Sequence, residues 1–416
     1  LVSCGQKEAA RAVLTLLDSQ ETLPMLWRAS LSDDPQPFIA LARDCLHNRV
    51  RFPNTLDEVQ MLQTLSDCAF ARYLLGCFWY SKRCYEEAVN CWQFTLEQEP
   101  NFAPVHRLLG IYAWNKQHDA QKALKYLSQA VALEPKNARF LFELDYLNKL
   151  MAAPAGARLQ RLEASKEIVF HRDDLTVELL SVWNSLGRYE AAAGVLRERV
   201  FHPWEGGEGK ATGQYLLNQI HQALEAIRRG EPQNATVLLQ QALHYPHNLG
   251  EGRLPGQTDN DIWYLLGYCA RQQGHHDEAQ RYFTRATRGG SSLDAGRYYN
   301  DQPVDYLFWQ GMALKASGDC TEANLLFQSF LQWVETQRDK VPDVDFFAVS
   351  LPDLVVLDTP EQEKHQQHCL FITALGHLGL GDIPACQQAL NALLQRNPTH
   401  DKAQLLRHAL NIPLFQ

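Results

Sequence analysis

The chain has 416 residues, 45% hydrophobic and 21% charged, with 39 Lys and Arg against 48 Asp and Glu for a net charge of -9. That length and apolar content suffice for a large core and exclude a disordered tail. The acidic balance without a long basic run excludes a phosphate-backbone footprint, and no apolar stretch approaches the roughly 20 residues of a membrane-spanning helix. The ten cysteines include no C-x-x-C pair, which fits reduced, mostly buried thiols of a cytoplasmic chain and not a disulfide framework. Leu1 in place of Met predicts a fragment. The opening Leu1-Val2-Ser3-Cys4-Gly5 offers an alternative localisation, a lipoprotein processed and lipidated at Cys4.

In chain order, residues 1–66 have helical apolar spacing through Ala10, Val13, Leu14 and Leu17, and again through Phe38, Leu41, Ala42 and Cys45. They read as an N-terminal helical cap or as degenerate repeats, since end repeats must solvate one face. From residue 67 to 416 a phase emerges. Leu75-Gly76 is followed by Ala88, Trp92 and Pro100, and Leu109-Gly110 by Ala123, Leu127, Ala130 and Pro135, with the two glycines 34 residues apart. This resembles the tetratricopeptide repeat, in which small residues let two antiparallel helices approach, large ones fill the space between pairs, and Pro ends the second helix.

Later copies keep the phase. They run through Gly187, Tyr189, Ala192 and Leu196; Gly230, Ala235, Leu239 and Ala242; Trp263, Leu266, Gly267, Gly274, Ala279, Phe283 and Ala286; Gly311, Gly318, Ala323 and Phe327; and Gly381, Cys386, Leu390 and Pro398. Seven copies are recognisable, and a weak repeat at 136–174 predicts an eighth, degenerate pair. The fold class is all-α: an α-solenoid, wound as a right-handed superhelix, of about seven to nine helix pairs.

Four connections are longer than the ~2–8 residues such arrays use: residues 201–213, 245–260, 289–303 and 341–359. Each follows the second helix of its pair, so all four are expected side by side along one rim. They carry His202, Trp204, Tyr245, His247, Glu251, Arg253, Arg297, Tyr298, Tyr299, Asn300, Asp301, Phe346 and Phe347. Aromatics beside carboxylates and amides suit a protein interface, a sugar pocket, or plugs that tuck into the solenoid.

Other motifs are weaker. Gly206 to Thr212 lacks the first Gly and the Ser or Thr of a phosphate loop, since Trp204 and Ala211 occupy those places. His365 and His368 stand about one helical turn apart without a second metal-binding pair, and read as exposed polar residues. No metal or cofactor site is expected. In the inner groove, Tyr73, Cys77, Tyr264 and Tyr268 occupy positions where chaperone-tail clamps carry Lys and Asn. A groove with Tyr73, Arg107, Tyr264 and Tyr268 suits an apolar or extended peptide, or helix packing.

The run Phe201-His202-Pro203-Trp204-Glu205-Gly206-Gly207-Glu208-Gly209-Lys210 resembles the C-terminal part of a family of large bacterial proteins, as do Val105 to Gly110, Phe142 to Asp145 and Tyr245 to Arg253. In that family an uncharacterised β-sandwich domain of the galactose-mutarotase-like type precedes a tetratricopeptide array. The resemblance runs from about Phe52 onward. It implies a missing N-terminal domain as a partner and a link to carbohydrate, with no established reaction. Two functions follow. One is a protein-interaction and scaffolding module without its own catalysis. The other is the accessory half of a glycan-processing enzyme, in which rim loops close over a sugar site on the missing domain and Glu205 and Glu208 act as acid and base. A stand-alone peptide-binding adaptor is a third.

Overall fold

The computed structural model describes residues 1–2, 4–17, 21–45, 50–293, 302–340, 356–412 and 414. Among them there is no strand, and the helices fall into two compact units, 1–135 and 136–416. The first holds α1 (Lys7–Leu16), α2 (Thr22–Leu31), α3 (Gln36–Asp44), α4 (Leu56–Thr64), α5 (Ala69–Ser81), α6 (Tyr85–Gln98), α7 (Ala103–Asn115) and α8 (Ala120–Leu133). The second holds α9 (Ala138–Leu150), α10 (Ala155–Ala164), α11 (Lys166–Val169), α12 (Asp173–Ser185), α13 (Tyr189–Glu198), α14 (Lys210–Arg228), α15 (Pro232–Ala242), α16 (Asn260–Gln272), α17 (His276–Ala286), α18 (Val304–Ser317), α19 (Cys320–Gln337), α20 (Glu361–Leu380), α21 (Ile383–Arg396) and α22 (Asp401–Ala409).

Each unit is built of stacked helix pairs, the α-solenoid arrangement. All seven phase-matched segments form pairs: α5/α6 and α7/α8 in the first unit, and α12/α13, α14/α15, α16/α17, α18/α19 and α20/α21 in the second. The small residues explain the closeness within a pair. Ala88, Ala123, Ala192, Ala235, Ala323 and Cys386 are fully buried on the second helices. Facing them, a Cβ added to Gly76 would lie 2.4 Å from Trp92, one on Gly267 2.6 Å from Phe283, and one on Gly311 2.5 Å from Phe327. A glycine on the first helix therefore receives the large ring of the second, and the pair locks.

The two helices of a pair differ in how much of themselves they bury. On α13, α15 and α17 only one stripe is buried, for example Ala279, Phe283 and Ala286. The first helices α12, α16 and α18 bury an unbroken run, as in Asn260 to Ala270 and Val304 to Ala313. A helix buried on all sides needs cover on all sides, for its apolar residues and for polar ones such as Asp261 and Asp305 alike. Second helices supply it on one side, and α22 packs on α12 and α14 from the other.

The weak stretch 136–174 is helical, as α9, α10 and the short α11. Its departure from the repeat pattern has a physical cause. Asp145, Glu143 and Arg158 are buried there, where the repeat would place apolar residues.

The glycine argument is testable by denaturation. Gly267→Ala should lower the stability of the second unit by about 1–3 kcal/mol through overpacking against Phe283. Gly194→Ala, within α13 and with nothing inside 4 Å of its new methyl, should raise it by about 0.5–1 kcal/mol.

Candidate functional site

The inner face of the second unit is lined by the first helices of its pairs, and the chain's own terminal helix α22 lies against it. Leu405, Leu406 and Ala409 of α22 are buried, as are Ile412 and Leu414 beyond it. Leu405, Leu406 and Ala409 meet Ile220 and Leu224 of α14, Leu265 of α16, Phe308 of α18, and Phe371 and Leu375 of α20 around a narrow remaining cavity. The spacing of the buried pair and Ala409 is that of one helical face.

Polar contacts fix the register of α22. Its first residue, Asp401, accepts hydrogen bonds from Ser181 Oγ at 2.8 Å and Gln214 Nε2 at 2.7 Å. Lys402 Nζ lies 2.8 Å from the Asp305 carboxylate, with Asp261 close by. Just before the helix, Thr399 Oγ1 accepts from Arg158 Nη1 at 2.9 Å. Arg158 is only 1% exposed. It also donates to Asp145 at 3.1 and 2.5 Å and to Glu178 at 2.8 Å, while Lys149 reaches Glu178 at 2.9 Å. Burial pushes the Glu178 carboxyl up, but Lys149 and Arg158 outweigh it and hold the group down at about 2.

Two turns along, His408 of α22 meets a second cluster. Its ring stacks on Tyr189 of α13 and His221 of α14 at 5.7 and 5.2 Å. His408 Nδ1 lies 2.9 Å from His221 Nδ1 and 3.2 Å from the Tyr189 hydroxyl, and His408 Nε2 lies 2.9 Å from Glu225. One tautomer set satisfies every contact: His408 donates from Nε2 to Glu225 and accepts at Nδ1 from His221 and Tyr189. Both rings are then neutral. Burial and the neighbouring His408 bring the His221 pKa down to about 3, and burial lowers that of His408 against the pull of Glu225.

Filling of this face bears on the groove residues. Tyr264 packs against Phe283 and Trp309 at 5.7 and 5.2 Å, and Tyr268 is buried on the same helix. In the first unit, Tyr73 is ringed by Phe52, Phe70 and Phe102, and Arg107 is half-buried near Cys77. These tyrosines are packed against neighbouring helices.

Of the four long connections, 201–213 and 245–260 are described and dock on each other. The Phe201 amide donates to the Asn248 carbonyl at 2.7 Å, and Asn248 Nδ2 donates to the Leu196 and Arg199 carbonyls at the end of α13. Glu251 accepts from the Gly209 amide at 3.0 Å and from Thr212, a carboxylate at the positive end of α14. Gly250 sits at φ 79° with its Cβ position 2.5 Å from the Phe201 carbonyl, so no side chain fits there. Tyr245 bonds Gln257 at 3.2 Å, and Arg253 pairs with Asp259. Phe201 is buried and Trp204 is half-buried over Gly207. The exposed remainder is His202, whose amide and ring contact Asp173, together with Glu205, Glu208 and His247. Arg297, Tyr298, Tyr299, Asn300, Asp301, Phe346 and Phe347 lie outside the described residues.

The paired histidines of α20 are not solvated as expected. Both are half-buried, His365 bonding the Gln337 carbonyl at 2.8 Å and His368 the Leu293 carbonyl at 3.2 Å. Among the described residues no cluster of His, Cys, Asp and Glu has a metal-binding arrangement, and no helix is long and apolar enough to cross a membrane. All ten cysteines are free thiols.

Residues 261–288, which span α16 and α17, match the family model of the tetratricopeptide repeat. The repeat type of this pair is thus fixed, and repeats of this kind suggest protein partners. Among solved structures, the chain is similar to the MamA protein at 15% identity, covering 52% of this chain and 88% of that one with a TM-score of 0.26. It is similar to the tetratricopeptide domain of P58(IPK) at 13% identity, covering 98% and 95% with a TM-score of 0.24.

What the repeat pattern did not reveal is α22. Its signal was present in the Leu405-Leu406, Ala409, Ile412 sequence that follows the last repeat.

Two outcomes test this site. Arg158→Leu leaves the buried Asp145 carboxylate without its ion-pair partner and Glu178 with Lys149 alone, and should destabilise the second unit by about 3–5 kcal/mol in chemical denaturation. The histidine cluster sets a pH dependence. A histidine whose folded pKa is depressed stabilises fully above its ordinary 6.5, and the contribution is lost as pH falls toward the folded value near 3. Asp261, raised to about 6 chiefly by burial, has the opposite sign, so the comparison must be differential. Between pH 7 and pH 5 the wild-type protein should lose about 1–2 kcal/mol more stability than His221→Asn, which does not titrate.

Proposed function

We propose that this chain is a protein-interaction and scaffolding module that acts through the rim of its second unit. The observation that carries the reading is the docking of loop 201–213 on loop 245–260. That contact turns two long connections into one ordered edge, with His202, Glu205, Glu208 and His247 exposed and Trp204 half-buried behind them. Aromatic anchors with a polar, charged surround suit a protein partner. A β-sandwich domain of the kind the family resemblance implies is one candidate partner, and a cytoplasmic setting accords with the ten free cysteines.

Photo-crosslinkers at His202 and at His247 should capture one and the same protein, and a crosslinker at Thr284 on the outer helix α17 should not. Glu205→Lys with Glu208→Lys should then weaken binding of that protein about ten-fold, roughly 1.4 kcal/mol. An unchanged dissociation constant rejects the rim as the contact surface.

A second reading, the accessory half of a glycan-processing enzyme, is favoured by one feature: the Trp204 ring stands beside two exposed carboxylates, an arrangement that suits the apolar face and hydroxyls of a sugar. In the parent protein, Glu208→Gln with full activity and unchanged sugar affinity rejects it.

A further inference from the structure

We infer that the inner face of the second unit is an exchangeable helix-binding groove, with α22 as its resident ligand, and that it takes a partner helix of the same chemistry in trans. This is a different surface from the rim, and the two readings fail independently.

Three observations support exchange. First, α22 stands outside the repeat pairs and is joined to α21 by Asn397, Pro398, Thr399 and His400 alone. The helices it covers keep their own partners, since each first helix still packs on its second helix. Second, its wall contacts carry an address in addition to apolar area: Asp401 to Ser181 and Gln214, Lys402 to Asp305, and His408 to Glu225 and His221. All of the receiving groups belong to the wall, so a second helix with the same side chains meets the same acceptors and donors. Third, the apolar seat is not filled to its limit. A narrow cavity remains between α22 and Leu224, Leu265, Phe308, Phe371 and Leu375, which leaves room for a competitor with a larger residue where α22 has Ala409.

The partner is thereby specified by class. It is an amphipathic helix with an acidic residue and Lys in its first turn, two adjacent apolar residues one turn on, and a hydrogen-bonding ring seven residues after the acidic one, recognised in the helix-in-groove mode. While α22 is seated, affinity for such a helix is reduced by the fraction of molecules whose groove is open.

The test uses the full chain and, as probe, a fluorescent peptide of residues 397–416. Lys402→Glu in the chain places a carboxylate beside Asp305 and loosens α22, but leaves the wall intact for a peptide that still carries Lys402. The variant chain should bind the wild-type peptide with an apparent dissociation constant roughly ten-fold or more below that of the wild-type chain, through its larger open fraction. A peptide carrying Lys402→Glu should lose binding to that chain. Hydrogen exchange of the unmodified chain provides the second measurement: amides of residues 404–409 should exchange at least about ten-fold faster than those of 264–270 in α16. If α22 exchanges as slowly as α16, or if the folded Lys402→Glu chain binds the peptide no better than wild type, α22 is a fixed part of the core and the proposal falls. Should Lys402→Glu not fold, the exchange measurement on the wild-type chain decides alone.

Discussion

A helix that is buried around its whole circumference needs cover on two sides, and this requirement organises the second unit. The second helices of the repeats meet it from one side only. α22 supplies the rest for α12 and α14, and its leucines reach the walls formed by α16, α18 and α20. Other features follow from that placement. Asp401, Lys402 and His408 enter a region with little water, so each must bring or find a charge or hydrogen-bond partner there. Ser181, Gln214, Asp305, His221 and Glu225 are those partners.

The Arg158 cluster shows a second side of the same constraint. An isolated buried guanidinium is unfavourable by several kcal/mol, and here Asp145 and Glu178 offset it while Lys149 balances the second carboxylate. This arrangement adds little net stability over an apolar core. Its contribution is geometric, because the guanidinium fork also fixes Thr399 and through it the point where the chain turns into α22.

How much of this was legible in the sequence depends on range. Contacts within a pair are local, so Gly76 with Trp92, Gly267 with Phe283 and Gly311 with Phe327, each about four helical turns apart along the chain, leave a recurring trace, and the paired helices and the all-α class could be read directly. The destination of α22 leaves no such trace. Asp401 meets Ser181 from 220 residues away, and Thr399 meets Arg158 from 241. The charges of 136–174 read as a failing repeat because a periodic pattern records what is apolar and small, and that pair holds its buried positions with ions. His365 and His368 read as solvated in the sequence for a related reason: their partners, the carbonyls of Gln337 and Leu293, lie in segments remote in sequence. At the rim, the length of the loops was plain, but their docking pairs the Phe201 amide with the Asn248 carbonyl and the Gly209 amide with the Glu251 carboxylate, main-chain partners remote in sequence that side-chain composition does not record.

The distance between α22 and its seats also sets an order of events during synthesis. When α12 leaves the ribosome, Ser181 and its neighbours await a partner encoded 220 residues downstream. At about 5–20 residues per second, the inner face stands uncovered for roughly 10–45 s. Throughout that interval the nascent unit displays the apolar wall that α22 will later close, and its last contacts are also its longest-range ones, which slows their formation. Completion of the second unit is thus tied to the emergence of α22.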